Sequence, residues 1–218
     1  MPVVPLAPSS DIAFTPAVKA AQASRGSRAA YARMEARGGF RTGVTPELVA
    51  FLALVDTAFL GTASAAGQPY VQHRGGPKGF IRKVDATTVG FIDFAGNRQY
   101  VSTGNLSENP RAFLFLMDYA TRRRMKLWGT AALVDAADPR AAGLQPDGYD
   151  AEPEQALLFT ISAWDVNCPQ HIPQKVDAQE VAATIRGLQE KLERCELDNG
   201  ALRRQLADRQ PGREGSAA

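Results

Sequence analysis

Residues 57–74, TAFLGTASAAGQPYVQHR, decide how the rest of the chain is read. Two short runs of strand-forming residues flank Ala66-Gly67, a pair able to turn the chain back on itself, so the stretch predicts a β-hairpin. The same texture continues downstream. GFIRKV (79–84), a turn at Asp85-Ala86-Thr87 and TVGFIDF (88–94) predict a second hairpin. AFLFLMD (112–118) and MKLWGTAALVD (125–135) predict a third, with its tip at Tyr119 to Arg123, and ALLFTISAWDV (156–166) adds one more strand. A mainly β, antiparallel arrangement of six or seven strands closed into a small barrel or sandwich follows.

Upstream, Thr45-Pro46-Glu47 reads as a helix start: an N-cap hydroxyl, a proline at the first helical position and an acid in the first turn, ahead of Leu48, Phe51, Leu52 and Val55. Thr15 to Ala36 carries a weaker helical pattern broken at Gly26, and Met1 to Asp11 reads as a loose tail. Between the second and third hairpins, Asn97 is a candidate N-cap that would put Arg98 and Gln99 in the first turn of a short helix ended by Asn109-Pro110.

The last segment is of another kind. Val181, Ile185, Leu188, Leu192, Cys195, Asn199, Leu202 and Leu206 recur at alternating steps of four and three over about four heptads. This predicts a homotypic coiled coil, against the alternative of one amphipathic helix packed on its own barrel. In a parallel pair Cys195 would face its mate. The chain therefore divides into a tail and helix (1–44), a barrel domain (45–176), a coiled-coil helix (177–209) and a disordered tail (210–218).

The 218 residues are 44% hydrophobic and 22% charged, with a net charge of +2, so no global field favours nucleic acid or an anionic membrane. The longest apolar run, Val49 to Val55, is too short to span a bilayer, and MPVVPLAPSSD lacks the basic region of a secretory signal. Two cysteines, Cys168 and Cys195, suit a reducing compartment, and a cytoplasmic protein is expected.

Arg74, Arg82, Arg98 and Arg124 fall on separate elements, and arginine suits phosphate because its fork binds two oxygens and keeps its charge. Scattered surface arginines are the competing explanation. Within QHRGGPKGFIR (72–82), Gly75 and Gly76 fit either a bent strand or a flat ligand lying against backbone. Arg122-Arg123-Arg124 reads as a solvated hairpin tip. Cys168 and His171 supply too few ligands for a closed zinc site, and a loop stiffened by Pro169 and Pro173 over a pocket is preferred to a Cys–His nucleophile pair.

GQPYVQHRGGPKGFIR, GFIDFAGNRQYVSTGNLSENPRAFLFLMDY, RRRMKLWGTAALV and NCPQHIP, in this order between about Leu48 and Pro173, resemble the pyridoxamine 5'-phosphate oxidase-like, FMN-binding split-barrel family. The resemblance implies a six-stranded split barrel that forms a homodimer with FMN in clefts built by both subunits. It implies that Gln72, His73, Arg74 and Gly75 pass along the flavin, that Arg82 approaches the phosphate, and that Asp93 and Phe94 end a strand beside the ring. Asn97, Arg98 and Gln99 match the phosphate-gripping Ser-Arg-Lys of the oxidases, with Gln99 in place of the lysine. Arg124 and Trp128 would come from the partner chain, and Asn167, Cys168 and His171 would form a lid over flavin or substrate. No Arg-x-His of the kind that holds pyridoxamine phosphate occurs, so the NCPQHIP motif implies a separate subgroup. The expected function is an FMN-dependent oxidoreductase acting on a small molecule, with NADH or NADPH as candidate donors. The alternatives are a flavin- or haem-binding sensor, and a coiled-coil docking module on a vestigial barrel.

Overall fold

The computed structural model describes residues 7–166 and 170–209. The chain divides into two units, residues 1–173 and 174–218. No helix of the described residues is long and apolar enough to cross a membrane.

The first unit begins with α1 (Pro16–Ser24) and α2 (Arg28–Glu35), separated at Gly26, whose φ of +76° is open to glycine at little cost. The predicted loose tail is tied down from Ser9 onward. Ser9–Ile12 forms a 3₁₀ turn whose Ser9 hydroxyl donates to Gly38 O at 3.0 Å, and Lys19 bridges Asp11 and Glu35. Phe14 packs edge-on against Tyr31 and Phe40. Helix α3 (Pro46–Leu52) starts as expected, with the Thr45 hydroxyl accepting from Leu48 N–H at 3.3 Å.

Strands β1 (Thr57–Ala63), β2 (Pro69–Gly75), β3 (Arg82–Lys83), β4 (Thr88–Phe94), β5 (Arg111–Asp118), β6 (Arg123–Asp135) and β7 (Pro153–Val166) make one sheet in the order β2-β1-β5-β6-β7-β4-β3. Every pairing is antiparallel. The sheet has seven strands where the resemblance implies six, and β3 is a two-residue stub. Phe80 and Ile81, expected in that strand, are each 2% exposed and turn into the core instead.

Alternate residues of β1, β5, β6 and β7 (Leu60, Leu114, Leu116, Met125, Leu127, Phe159) join Phe91 of β4 in one cluster plugged by Leu48, Phe51 and Leu52 of α3. A single cluster fed from so many strands means the sheet curls around it. Trp164 is wholly buried there, and its indole N–H donates to Gly43 O at 2.9 Å. A smaller cluster of Ile92, Ala141, Leu144, Ala156 and Leu158 covers the opposite side of β4 and β7. The β6–β7 register shifts between Trp128 and Gly129, where a Cβ on Gly129 would lie 2.0 Å from Thr160 O. That bulge admits only glycine.

The glycines of QHRGGPKGFIR have a packing cause. A Cβ on Gly76 would sit 2.7 Å from Phe80 Cβ, and one on Gly75 would sit 2.9 Å from the His73 ring. Gly76 serves the descent of Phe80 into the core at this bend. Gly79, at φ +80°, completes the turn and donates to Val55 O at the end of the α3 segment.

The helix expected at Asn97 starts later, as α4 (Val101–Glu108). Asn97 Oδ1 accepts from Gln99 N–H at 3.3 Å, an Asx turn that leaves Arg98 and Gln99 ahead of the helix. Arg98 (φ +57°) and Tyr100 (φ +53°) are both left-handed, which ends the turn before α4 begins.

The second unit is α5 (Ala178–Asp208), capped by Asp177, whose carboxylate accepts from Gln179 and Glu180 N–H at 2.7 and 3.2 Å. None of its 31 residues is buried. The tail expected at 210–218 lies outside the described residues.

Candidate functional site

Side chains of β2 alternate between two sides, so Gln72 and Arg74 share a face that His73 does not. That face, the end of β4 at Asp93 and Phe94, the loop Gly96 to Arg98, the start of α4 and residues Glu154 and Gln155 of β7 enclose a cleft of about 280 Å³. The β4–β7 register sets Asp93 opposite Gln155.

A web of polar contacts fixes the lining. Arg74 Nη1 donates to Asp93 Oδ1, and Gln155 Nε2 donates to Asp93 Oδ2 at 3.0 Å. The two charged side chains are 12% and 10% exposed, so the pair is largely desolvated. Ser102 Oγ donates to Gln72 Oε1 at 2.7 Å. The Tyr100 hydroxyl donates to Glu154 Oε1, and that bond holds its phenol proton above the usual range, since ionisation would forfeit it.

Two polar features of the lining are left unsatisfied by the chain itself. Arg74 Nε is buried and has no hydrogen-bond partner. Tyr100, the N-cap residue of α4, supplies no side-chain cap, so the first-turn N–H groups of α4 receive no capping oxygen. Arg98 lines the cleft beside them and forms no ion pair among the described residues. The lining holds two arginines and two carboxylates, Asp93 and Glu154, with one arginine already engaged.

Of the predicted site residues, Gln72, Arg74, Asp93, Phe94, Asn97 and Arg98 meet in the cleft. His73 faces the other way, its ring edge-on to Phe59 at 5.7 Å, and Gly75 shares that side. Arg82 is turned elsewhere: its guanidinium donates to Gly143 O at 2.7 Å and faces Asp147 at 3.6 Å. Gln99 is exposed and not part of the lining. Arg124 and Trp128 alternate with the inward Met125 and Leu127 and so stand on the outer side of β6, where Trp128 stacks on Phe40 at 5.1 Å. His171 is exposed at φ +61°, while Asn167 and Cys168 lie outside the described residues.

Sequence reading missed Gly96, Tyr100, Ser102, Thr103, Glu154 and Gln155. The first four follow from placing the helix start correctly, since they flank it. Glu154 and Gln155 carry no local signal; only strand pairing brings them to Asp93.

The profile of the family described as Pyridoxamine 5'-phosphate oxidase matches residues 44–168. The chain belongs to that family. The matched segment runs from just ahead of α3 through β7, and so contains every cleft residue named above. Among solved structures, HupZ of Group A Streptococcus is similar at 17% identity over 61% of this chain and 99% of that one, with a TM-score of 0.46. An FMN-binding protein from Syntrophomonas wolfei subsp. wolfei is similar at 11% identity over 67% of this chain and 97% of that one, with a TM-score of 0.41. At these values neither likeness bears on function. No curated protein matches the chain.

Proposed function

We propose that this member of the pyridoxamine 5'-phosphate oxidase family binds FMN in the cleft and acts through it as an oxidoreductase on a small molecule. One observation carries the reading: Arg98 and the uncapped start of α4 meet in one cleft that Arg74 also lines, inside the family-matched segment. Guanidinium groups and helix-start N–H groups both favour a phosphate monoester. The donor set fits FMN, since Gln72, Asn97, Ser102 and Thr103 add neutral donors and acceptors of the kind a ribityl chain and a flavin ring edge require.

Bound FMN would supply electron and hydride transfer that side chains cannot perform. The chain's own part is to bind and orient. Asp93, held by Arg74 and Gln155, fixes both side chains, and Ser102 fixes the Gln72 amide. The chain contains no Arg-x-His, so the reading does not extend to pyridoxamine 5'-phosphate as substrate. Losing a charge-assisted hydrogen bond costs about 2 kcal/mol. Arg98→Ala should therefore weaken FMN binding roughly thirtyfold in a fluorescence-quenching titration. Unchanged affinity would remove Arg98 from the site.

The same proposal includes a homodimer through the outer side of β1, β2, β5 and β6. Half-buried Phe59, Phe113, Phe115 and Trp128 run across it with ring centroids 5.2 to 6.5 Å apart, and Val71 is 64% exposed at its edge. A contiguous aromatic face of this kind suits a subunit interface. Sedimentation of a chain carrying Leu192→Glu and Leu202→Glu, which silences α5, should still show a dimer. Adding Phe115→Glu should split it, and a monomer before that step contradicts the proposal.

A further inference from the structure

Helix α5 exposes a narrow apolar seam: Val181, Ile185, Leu188, Leu192, Leu202 and Leu206 are 40% to 62% exposed. Burying such a seam is what stabilises a long surface helix. Two interior glycines, Gly187 and Gly200, weaken α5 as an isolated helix, and both lie off the seam. A partner is needed, and the charges beside the seam say which one.

We propose that α5 pairs with α5 of a second copy of this chain as a parallel, in-register, two-stranded coiled coil. With Ile185, Leu192, Asn199 and Leu206 at position a, Val181, Leu188, Cys195 and Leu202 take position d. In a parallel pair each g residue faces the e residue five positions on in its mate. Lys191 then meets Glu196 of the second copy, and Asp198 meets Arg203 of the second copy; the remaining pair, Thr184 with Gln189, is neutral. All four charged residues are exposed and free to reach across. Every charged pairing is attractive and none is repulsive.

Asn199 settles direction. In the parallel register it lies beside its own counterpart, and the two amides satisfy each other across the seam. Turned antiparallel about the middle of the repeat, Asn199 falls opposite Leu188 and its amide is buried without a partner. The antiparallel pair exchanges the g-to-e pairings for g-to-g contacts of Lys191 with Asp198 of the second copy, which are also attractive, so direction rests on Asn199. An unrelated helix would have to reproduce this charge order and present its own amide at one seam position, whereas a second copy does so automatically.

Disulfide mapping in the full chain tests the orientation. Cys195 lies near the middle of the repeat and would approach its mate in either direction, so it is replaced by alanine and a thiol is placed near one end, by Leu202→Cys. Diamide takes two electrons and two protons from a pair of thiols, becoming its hydrazine as the S–S bond forms. In the parallel coil the two position-202 thiols face each other, and the linked dimer should form at least tenfold faster than in Cys195→Ala alone, which reports any contribution of Cys168. In the antiparallel coil the same positions stand about 25 Å apart at 1.5 Å rise per residue, and no link forms. Peptide mapping by mass spectrometry identifies the linked positions. A mixture of Leu202→Cys chains with Ile185→Cys chains, both on Cys195→Ala, supplies the converse: links should be like-to-like. Preferential 185-to-202 links, or no link at 202 above background, overturn the proposal.

Discussion

Gly129→Ala is expected to lower stability by about 3 kcal/mol, the upper part of the range for overpacking a close-packed interior. The added Cβ would stand 2.0 Å from Thr160 O and 2.9 Å from the Phe159 ring, and the first of these is backbone in the adjoining strand. A flexible side chain could move aside; a carbonyl in the β6–β7 ladder cannot move without breaking the bulge between Trp128 and Gly129. For a domain of this size the melting temperature should fall by about 6–12 °C. The same change at Gly104, inside α4, meets nothing within 4 Å and should leave stability level or raise it slightly. Thermal unfolding followed by circular dichroism compares the two. Equal melting temperatures would mean that β6 and β7 are not joined by this bulge.

Asp93→Leu is expected to have an effect of similar size for an electrostatic reason. Arg74 and Asp93 neutralise one another where their side chains are only 12% and 10% exposed. Removing the carboxylate leaves a guanidinium in a poorly solvated place and takes away an acceptor from Gln155, a loss of about 3 kcal/mol. Replacing both members, Arg74→Met with Asp93→Leu, removes the stranded charge and should recover most of that loss. Urea unfolding of the two single variants and the double variant gives the coupling directly. Additive losses would show that the pair does not act as a unit. The double variant should also bind FMN less well, because the Arg74 side chain leaves the cleft lining.

The hairpins were legible because their turns are local chemistry. Gly67 sits at φ +86° between β1 and β2, and Asp85 Oδ1 accepts from the N–H groups of Thr87 and Thr88 between β3 and β4. The Thr45 cap was legible for the same reason. The strand order was not, since nothing local says that β1 lies against β5 or that β4 lies against β7. Asn97 misled because an Asx turn and an N-cap share one signal: a side-chain oxygen accepting an N–H two or three residues on. His73 and Arg74 are neighbours in sequence, yet strand alternation sends them to opposite sides, and Gly75 follows His73. The packing reason for Gly76, the side chain of Phe80, lies four residues away along a bend and leaves no local signal. Of the expected residues, Gln72, Arg74, Asp93, Phe94, Asn97 and Arg98 line the cleft of the single chain, and Gly96, Tyr100, Ser102, Thr103, Glu154 and Gln155 join them through strand pairing and the true start of α4.

Titration of FMN into the unmodified full-length chain, followed by calorimetry and by the flavin absorption band, tests the central claim most directly. The cleft formed by Arg98, Arg74 and the start of α4 predicts saturation at one FMN per chain, with riboflavin, which lacks the phosphate, binding far more weakly. A chain that takes up no FMN, or that binds riboflavin as tightly as FMN, would contradict it.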